Sequence, residues 1–274
     1  MNILIIGLGL IGGSYAKGLI KKGYTIFGVD KSEETLNYAM KNGFLSEAST
    51  KPEDFICKSD VIILGLYPSD IIPYIKKYKH LFNENMIICD VCGIKGNICA
   101  EATRLSKPAL FIGTHPMAGK EKVGIKFADN EIFKGANFLI CPVSDSNERA
   151  IDVLKQIAND LEFGKISMMS PEHHDLLIAY TSQLTHLIAV GLVNSDSEKD
   201  TINFIGDSYR DLTRIAMINE GLWSELFLEN KDNLLLKLEA FQEQLEMIKT
   251  ALLNDNLELL QELFSSSKKK REAM

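Results

Sequence analysis

Apolar residues in the first half of the chain follow two alternating patterns. Short, nearly continuous apolar runs predict buried strands, and the stretches between them, where apolar residues recur every three or four positions, predict helices. Strands that alternate with helices pair in parallel through crossovers, so we expect a mostly parallel sheet with helices on both faces. The predicted strands are residues 2–6, 25–29, 60–64, 86–89, 109–112, 137–140 and 165–168. The predicted helices are residues 11–22, 32–42, 69–79, 95–105 and 147–160.

The pattern changes after Ser170, beyond which we predict no further strand. Leu, Ile and Phe recur at helical spacing from Pro171 onward, and Ser170 is the expected N-cap of the first of these helices. A long amphipathic run over residues 231–263 is expected to break near Asn254. Helices with apolar faces must cover them, so this half favours either a compact bundle or a helical dimer interface.

These patterns divide the chain into three parts. Residues 1–165 are expected to form an α/β domain, residues 166–267 an all-α domain, and residues 268–274 a frayed polar tail. The composition agrees with two soluble domains, because 46% of the 274 residues are hydrophobic and 24% are charged. A net charge of −7 gives no basic surface for nucleic acid, but it does not exclude a small anionic substrate, because a local Arg or Lys matters more than the total.

Cysteine usage and the most apolar stretch indicate where the protein works. Five Cys, an odd number with no secretory signal ahead of them, favour a reducing compartment, and we expect a cytoplasmic protein. Residues 176–193 are about long enough to span a bilayer, but Ser182, Gln183, Thr185 and His186 interrupt the centre, which is costly in lipid. We therefore predict a buried helix and no membrane partner.

A glycine-rich loop lies between the first predicted strand and the first predicted helix. Its residues are Gly7, Leu8, Gly9, Leu10, Ile11 and Gly12. Gly7 permits a tight turn, Gly9 lets the backbone approach a pyrophosphate, and Gly12 lets the helix pack closely on the strand. This context predicts a Rossmann-type dinucleotide-binding domain, against the alternative of a plain glycine-rich turn.

Asp30 ends the second predicted strand, where a carboxylate hydrogen-bonds the ribose hydroxyls of a bound dinucleotide. A carboxylate there repels the 2′-phosphate of NADP, so we predict NAD as the cofactor. The neighbouring Lys31 is a cation that could partner that phosphate, which leaves NADP open as an alternative.

His115 follows the predicted strand 109–112, at the edge of the sheet where substrates gather. A neutral imidazole at this place can accept a hydrogen bond or a proton from a substrate hydroxyl while a hydride leaves for the nicotinamide. The alternative is an inert loop histidine held by Pro116.

The helical half carries two pairs of polar residues that are candidates for the site. Ser182 and His186 are four residues apart on an apolar helix, so they face either a cleft or satisfied packing partners. Arg210 and Arg214 also share a helix face, and a guanidinium fork suits a carboxylate, although a surface ion pair is the alternative. We expect no metal site, because no convincing fourth ligand follows the cysteines at positions 89, 92 and 99.

Taken together, these segments resemble the prephenate dehydrogenase family of tyrosine biosynthesis over essentially the whole chain. The segments that carry the resemblance are residues 7–14 (GLGLIGGS), 90–95, 115–121 (HPMAGKE), 170–186 (SPEHHDLLIAYTSQLTH) and 209–216 (YRDLTRIA). The resemblance implies a nucleotide-binding domain followed by a helical domain through which two subunits form a homodimer. It also implies NAD-dependent oxidative decarboxylation of a small-molecule substrate, prephenate, to 4-hydroxyphenylpyruvate.

The resemblance also implies roles for individual residues. The catalytic histidine of the family falls on His115, which accepts the hydrogen bond from the ring hydroxyl, and the substrate-anchoring arginine falls on Arg214. Asp211 and His186 are expected in the same pocket, together with Ser182 from the 182–186 motif. The remaining two expected substrate-binding residues are Glu121, near the pocket mouth, and Lys120, near the side-chain end of the substrate.

Three departures from the family pattern keep alternatives open, and one of them is Lys120, which stands where a small polar residue is often found. Gly93 stands where family members commonly carry a serine that assists the catalytic histidine, and Gln183 replaces the first histidine of the 182–186 motif. Arogenate, the amino analogue of prephenate, is therefore an alternative substrate, and a catalytically weak NAD-binding sensor is an alternative function. A β-hydroxyacid dehydrogenase of the same architecture is disfavoured, because the pattern expected of that family, a Lys followed four residues later by an Asn, is not found around residues 191–194.

Overall fold

An eight-stranded sheet occupies the first half of the computed structural model, which describes residues 1–143 and 148–274. The strands run in the spatial order β3-β2-β1-β4-β5-β6-β7-β8. They are β1 (Asn2–Ile6), β2 (Thr25–Val29), β3 (Glu47–Ser49), β4 (Val61–Leu64), β5 (Ile87–Asp90), β6 (Leu110–Pro116), β7 (Asn137–Cys141) and β8 (Lys165–Met168).

Neighbouring strands pair in parallel except β6 and β7, which are antiparallel. The prediction of a mostly parallel sheet is therefore confirmed. The order of the first six strands is the one found in dinucleotide-binding folds, and the winding direction reverses between β1 and β4. The crevice outside the carboxyl ends of these two strands is where such folds bind their ligand.

Helices cover both faces of the sheet, as predicted. They are α1 (Leu10–Ile20), α2 (Glu33–Lys41), α3 (Pro68–Tyr78), α4 (Gly96–Ser106) and α5 (Glu148–Asp160). In β1, Ile3 and Ile5 join the core beneath α1 and α5, whereas Leu4 and Ile6 join the core beneath α3 and α4. This alternation follows from the two-residue period of a strand. The predicted start of the fifth helix, Asn147, lies outside the described residues.

The second half is helical, and no strand follows Met168 within the described residues. Its helices are α6 (Pro171–Ile178), α7 (Leu184–Asn194), α8 (Asp207–Thr213), α9 (Glu220–Glu229), α10 (Lys231–Leu253) and α11 (Leu257–Glu272). The predicted N-cap is confirmed, because the Ser170 hydroxyl accepts a hydrogen bond from the His173 amide at 3.2 Å. The predicted break near Asn254 is also confirmed. The expected frayed tail is wrong, since residues 268–272 continue α11 with exposed side chains.

Two strand predictions need correction. The strand β3 was not predicted, because three residues of mixed polarity at a sheet edge carry no apolar signal. The strand β6 is longer than predicted, so His115 lies within a strand and not in a loop after one. Antiparallel pairing with β7 holds this extension, with His115 opposite Leu139.

The most apolar helical stretch is only partly covered in the single chain. Helices α6 and α7 join through a short π-helical segment, Ala179–Gln183, into one stretch over Pro171–Asn194. Among the described residues this is the one helix long and apolar enough to cross a membrane by length and composition, and 28% of its most apolar window is buried. The prediction of a buried helix is therefore wrong for the isolated chain, because residues such as Tyr180 and Val193 are exposed.

A buried ion pair joins β5 to the segment that leads into α4. The side chains of Asp90 and Lys95 are both fully buried and hydrogen-bonded to each other. The Lys95 ammonium also donates to the carbonyls of Cys92 at 2.8 Å and Ile94 at 3.0 Å. Burial acts to lower the pKa of Lys95, but the Asp90 carboxylate and, to a smaller extent, Cys92 and Cys99 act to raise it, and together they leave the pKa raised. Residues 91–94 are thereby tied around a buried charge.

Replacing Lys95 by methionine should destabilise the fold strongly. Lys95→Met leaves the Asp90 carboxylate buried without its cation, which costs about 3–5 kcal/mol. The matched control is Lys76→Met, because the ion pair of Lys76 with Glu101 is half exposed, and its loss should cost no more than about 1 kcal/mol. Urea unfolding followed by circular dichroism measures both values. Equal losses for the two variants would contradict a structural role for the buried pair.

Candidate active site

His115 lies at the carboxyl edge of the sheet, beside the end of β5. The preceding residue, Thr114, fixes this part of β6, because its amide donates to the Asp90 carboxylate at 3.2 Å and its hydroxyl donates to the Asp90 carbonyl. Burial, the neighbouring His174 and the Lys95 ammonium all lower the pKa of His115 well below its usual value. His115 is therefore a neutral imidazole at pH 7, which can accept a hydrogen bond.

His115 is the first member of a hydrogen-bonded chain that continues to a second histidine, His174, and to a carboxylate, Asp175. The sequence analysis did not predict either residue as part of the site. His115 Nδ1 lies 2.9 Å from His174 Nε2, and His174 Nδ1 lies 2.7 Å from Asp175 Oδ1. The Asp175 carboxylate also accepts hydrogen bonds from the amides of Lys95 at 2.8 Å and Gly96 at 2.7 Å, at the start of α4. The adjacent His and Asp near the start of α6 were a signal for such a chain, but only the fold brings them to residue 115.

Gly93 lies beside the ring of His115. A Cβ built on Gly93 would stand 3.8 Å from His115 Cε1 and 3.3 Å from Leu226 Cδ2. The chain therefore offers no side-chain hydroxyl from this position. Leu226, which is buried in α9, occupies the neighbouring space.

His186 stacks on the only tryptophan of the chain. The ring centroids of His186 and Trp223 are 3.8 Å apart at an interplanar angle of 31°. His186 Nδ1 donates to the main-chain carbonyl of Ser182 at 2.9 Å. The predicted neighbours Ser182 and His186 are thus in contact, although through the backbone of Ser182 and not through its hydroxyl. The stack makes Trp223 a wall of this part of the site.

Arg214 and Glu121 form an ion pair that joins the loop after β6 to the helical half. Burial lowers the pKa of His186, while the Ser182 carbonyl and the Glu121 carboxylate act to raise it and the Arg214 guanidinium acts to lower it. Helix α7, which carries His186, packs against the turn that carries Arg214, so these three side chains lie in the same region of the structure. Three of the expected substrate-binding residues are therefore brought into one cluster.

Two other expected substrate-binding residues are not brought into this cluster. Lys120 Nζ lies 2.8 Å from the Asp129 carboxylate, which also faces Lys17 on α1. The charge of Lys120 is paired with Asp129 in the structure, and the expectation that Lys120 adds charge beside the substrate stays a prediction. Asp211 is exposed on α8, and its carboxylate makes no hydrogen bond or ion pair with any residue that the structure describes.

The glycine loop has the shape of a phosphate cradle. Gly7 has a φ of +86°, and a Cβ on it would stand 2.3 Å from the Gly65 carbonyl oxygen, at the end of β4. A Cβ on Gly12 would stand 2.0 Å from the Gly7 carbonyl oxygen, so neither position admits a side chain. Gly9, by contrast, is exposed with open space above its Cα, and no side chain caps the start of α1. A phosphate can therefore reach the free amides of this helix, which carry a partial positive charge.

Asp30 stands next to this cradle. Its carboxylate accepts a hydrogen bond from the Leu8 amide at 2.8 Å and another from the Ser32 amide at 2.9 Å. Both bonds hold the carboxylate at the carboxyl end of β2. Each oxygen keeps a further lone pair, so the residue can still accept from a ribose hydroxyl.

The buried thiols and acidic groups do not form a metal site. No group of three or more His, Cys, Asp or Glu side chains that could hold a metal ion occurs in residues 1–143 and 148–274. Four of the five cysteines are buried, and burial raises the pKa of Cys89 and Cys92 to about 12. These thiols are therefore neutral packing groups.

Comparison with known families gives matches to nearly the whole chain. Residues 15–166 match the model of the nucleotide-binding domain of prephenate dehydrogenase. Residues 170–266 match the model of the prephenate dehydrogenase dimerization domain. The two matches meet where β8 ends and α6 begins.

Individual relatives agree with these matches. The chain is 27% identical to prephenate dehydrogenase of Bacillus subtilis, over 100% of this chain and 76% of that protein. The structure of A. aeolicus prephenate dehydrogenase in complex with hydroxyphenyl propionate and NAD+ is 28% identical with a TM-score of 0.91, covering 100% of this chain and 98% of that one. The structure of Synechocystis arogenate dehydrogenase is 26% identical with a TM-score of 0.84, covering 100% and 99%.

Two alanine substitutions in the glycine loop should separate folding from nucleotide binding. Gly12→Ala forces a Cβ against the Gly7 carbonyl oxygen and should lower the free energy of unfolding by at least about 1–3 kcal/mol. Gly9→Ala meets nothing within 4 Å, so the free energy of unfolding should change by less than about 1 kcal/mol. The added methyl group stands where a phosphate approaches, however, and should weaken binding about tenfold or more. Urea unfolding and calorimetric titration with NAD measure the two effects. Unchanged NAD binding in Gly9→Ala would exclude the glycine loop as the binding site of the phosphates.

Proposed function

The chain belongs to the prephenate dehydrogenase family, and on that premise we propose that it catalyses the NAD-dependent oxidative decarboxylation of prephenate to 4-hydroxyphenylpyruvate in tyrosine biosynthesis. The observation that carries this proposal is the neutral imidazole of His115 at the carboxyl edge of a nucleotide-binding sheet. Its Nε2 makes no hydrogen bond with any residue that the structure describes, so it is free to face a substrate hydroxyl.

NAD is the proposed cofactor. The free amides at the start of α1 and the open space over Gly9 would hold its pyrophosphate, and the Asp30 carboxylate would accept from its ribose hydroxyls. A carboxylate at this place disfavours the additional phosphate of NADP. NAD supplies the hydride acceptor when it is bound, and the related A. aeolicus enzyme has been solved with NAD+.

The proposed role of His115 follows from the balance of the reaction. The carbinol carbon of prephenate loses its hydrogen as a hydride. The electron pair of the bond to the ring carboxylate then enters the ring, which becomes aromatic as carbon dioxide leaves. The hydroxyl keeps its proton in the phenol product, so no net proton is released. His115 Nε2 therefore needs only to accept the hydroxyl hydrogen bond while positive charge develops on the carbinol carbon, and a neutral imidazole suits this task.

Arg214 is the proposed anchor for a substrate carboxylate. Its guanidinium has five donors, and in the structure it is engaged by one carboxylate, that of Glu121. A substrate carboxylate can therefore bind the remaining donors, with His186 and Trp223 beside it. Ser182 supports this site by fixing the ring of His186 through its carbonyl. Lys120 and Asp211 are left without a proposed role.

A homodimer through the helical half is the proposed assembly. The exposed large apolar side chains are concentrated there, and Ile202 and Phe204 are 77% and 80% exposed. A soluble monomer rarely leaves so much apolar surface uncovered. The dimer interface would also cover part of the helical stretch Pro171–Asn194, for which we therefore propose no membrane role. We propose a cytoplasmic enzyme with no nucleic-acid partner, because the free cysteines fit a reducing compartment and the net charge of −7 gives no basic surface for nucleic acid.

The direct test of this function is NADH formation, followed by absorbance with prephenate or arogenate and with NAD or NADP. Prephenate with NAD should give turnover, and His115→Asn should lower kcat by about 10²-fold or more while calorimetry shows unchanged NAD binding. Preferential use of arogenate would reassign the substrate. NAD binding without turnover on either substrate would instead favour a sensor.

In the same assay, the loss of kcat/KM on the acid side of the pH profile should occur at unusually low pH. Activity requires neutral His115, so kcat/KM falls as the pH drops through the pKa of this residue. Because that pKa is lowered, the fall should lie below pH 6.5, and a full loss of activity at pH 6.5 would contradict the assignment.

Arg214→Ala should mainly raise the KM for prephenate, by about tenfold or more, because it removes a charged hydrogen bond to a carboxylate. The matched control is Arg210→Ala, because Arg210 is paired with the exposed Asp207 at 2.9 Å. This variant should leave the KM for prephenate unchanged. Steady-state kinetics with saturating NAD measure both variants. An effect of Arg214→Ala confined to the KM for NAD would rule out the anchoring role.

A further inference from the structure

We propose that His174 and Asp175 are positioning residues that fix the tautomer of His115, with its hydrogen on Nδ1 and its lone pair on Nε2. The proposal rests on the function proposed above, in which His115 Nε2 accepts the substrate hydroxyl. It assigns a task to two buried polar side chains that neither bind the nucleotide nor anchor the substrate.

The direction of each hydrogen bond in this chain follows from its last member, Asp175. An ionised carboxylate can only accept, so the 2.7 Å contact to Asp175 Oδ1 requires the hydrogen of His174 to be on its Nδ1. A neutral His174 then has a bare Nε2, which can only accept. The 2.9 Å contact with His115 Nδ1 therefore requires the hydrogen of His115 to be on Nδ1. The Nε2 atom of His115 is left as the acceptor.

The carboxylate at the end of this chain is itself held in place. Asp175 accepts the amides of Lys95 and Gly96, at the start of the eleven-residue helix α4, whose partial positive charge stabilises an anion. Asn230 also fixes the backbone of this turn, because its side-chain amide donates to the Asp175 carbonyl at 2.9 Å. His174 is fully buried and Asp175 nearly so, and solvent therefore cannot substitute for either contact.

The charges around the pair favour the neutral forms. Burial lowers the pKa of His174, and the Lys95 ammonium lowers it further, while Asp175 and Asp90 act in the opposite direction. The groups acting on His115 are His174 and Lys95. If His174 were protonated, its Nε2 would donate to His115 and would force the opposite tautomer, which places a donor against the substrate hydroxyl. Neutral His174 is therefore part of the active form.

A pair of substitutions at position 174 tests the proposal by kinetics. His174→Leu removes the acceptor for His115 Nδ1 and should lower kcat on the order of 100-fold, with little change in the KM for prephenate. His174→Gln retains an acceptor oxygen near the place of Nε2 and should recover most of that loss. The matched control is His173→Leu, because His173 is the exposed neighbour on the same helix, and its kcat should equal that of the wild type. Equal kcat values for His174→Leu and His174→Gln would overturn the proposal.

The tautomer itself can be read without turnover. Two-bond ¹H–¹⁵N correlation spectra distinguish protonated from bare imidazole nitrogens, and the five histidines can be assigned by single substitutions. At pH 7.5 the wild type should show hydrogen on Nδ1 of His115, and His174→Leu should move signal toward the Nε2-protonated form. Hydrogen on Nε2 of His115 in the wild type would also overturn the proposal. If the wild type has the expected tautomer but turns over neither prephenate nor arogenate, the proposed function fails and the positioning stands.

Discussion

The burial of one lysine ammonium is the constraint on which the candidate site depends. Nothing in a protein core stabilises an isolated charge, so Lys95 requires oxygen atoms on every donor, and Asp90 and the carbonyls of Cys92 and Ile94 provide them. The same Asp90 carboxylate binds the Thr114 amide, next to His115. One charge pair therefore fixes the end of β5, the segment that follows it and the part of β6 that carries His115.

Carboxylates from the helical half meet the starts of two helices of the nucleotide-binding half. Asp175 binds the amides that begin α4, and the Glu225 carboxylate accepts from the Ser69 amide at 3.1 Å, near the start of α3. Helix starts leave amides unpaired, and a carboxylate satisfies both their hydrogen bonds and their partial charge. The docking of the two halves is thus directional, because each contact specifies one helix end. Docking in this way also carries His174 to His115, so the site is complete only when both halves are in place.

The sequence predicts the parts of this protein whose signals are local. The glycine loop, the buried strands and the N-cap at Ser170 depend on neighbours in the chain, and their patterns are explicit. The three-residue strand β3 and the extension of β6 were missed because they depend on partners elsewhere in the sheet. The ion pair of Lys120 with Asp129 was missed for a related reason, because no spacing rule connects the two residues. The chain from His115 to Asp175 spans sixty residues of separation along the sequence and becomes visible only in the fold.

Two of the departures from the family pattern, at positions 93 and 183, both contact Leu226. Gln183 is buried, and its amide donates to the Leu226 carbonyl at 2.8 Å while its oxygen accepts from Asn230 at 2.8 Å. The side chain of Leu226 in turn covers Gly93, so a larger residue at position 93 would press on it at 3.3 Å. Gln183 therefore links α9 to the residue that precedes α10, and both polar atoms of its side chain are used within the protein. Because Leu226 fills the space beside His115 that a residue-93 side chain would enter, the imidazole has an apolar neighbour on that side, and His174 supplies its one hydrogen bond from the described part of the chain.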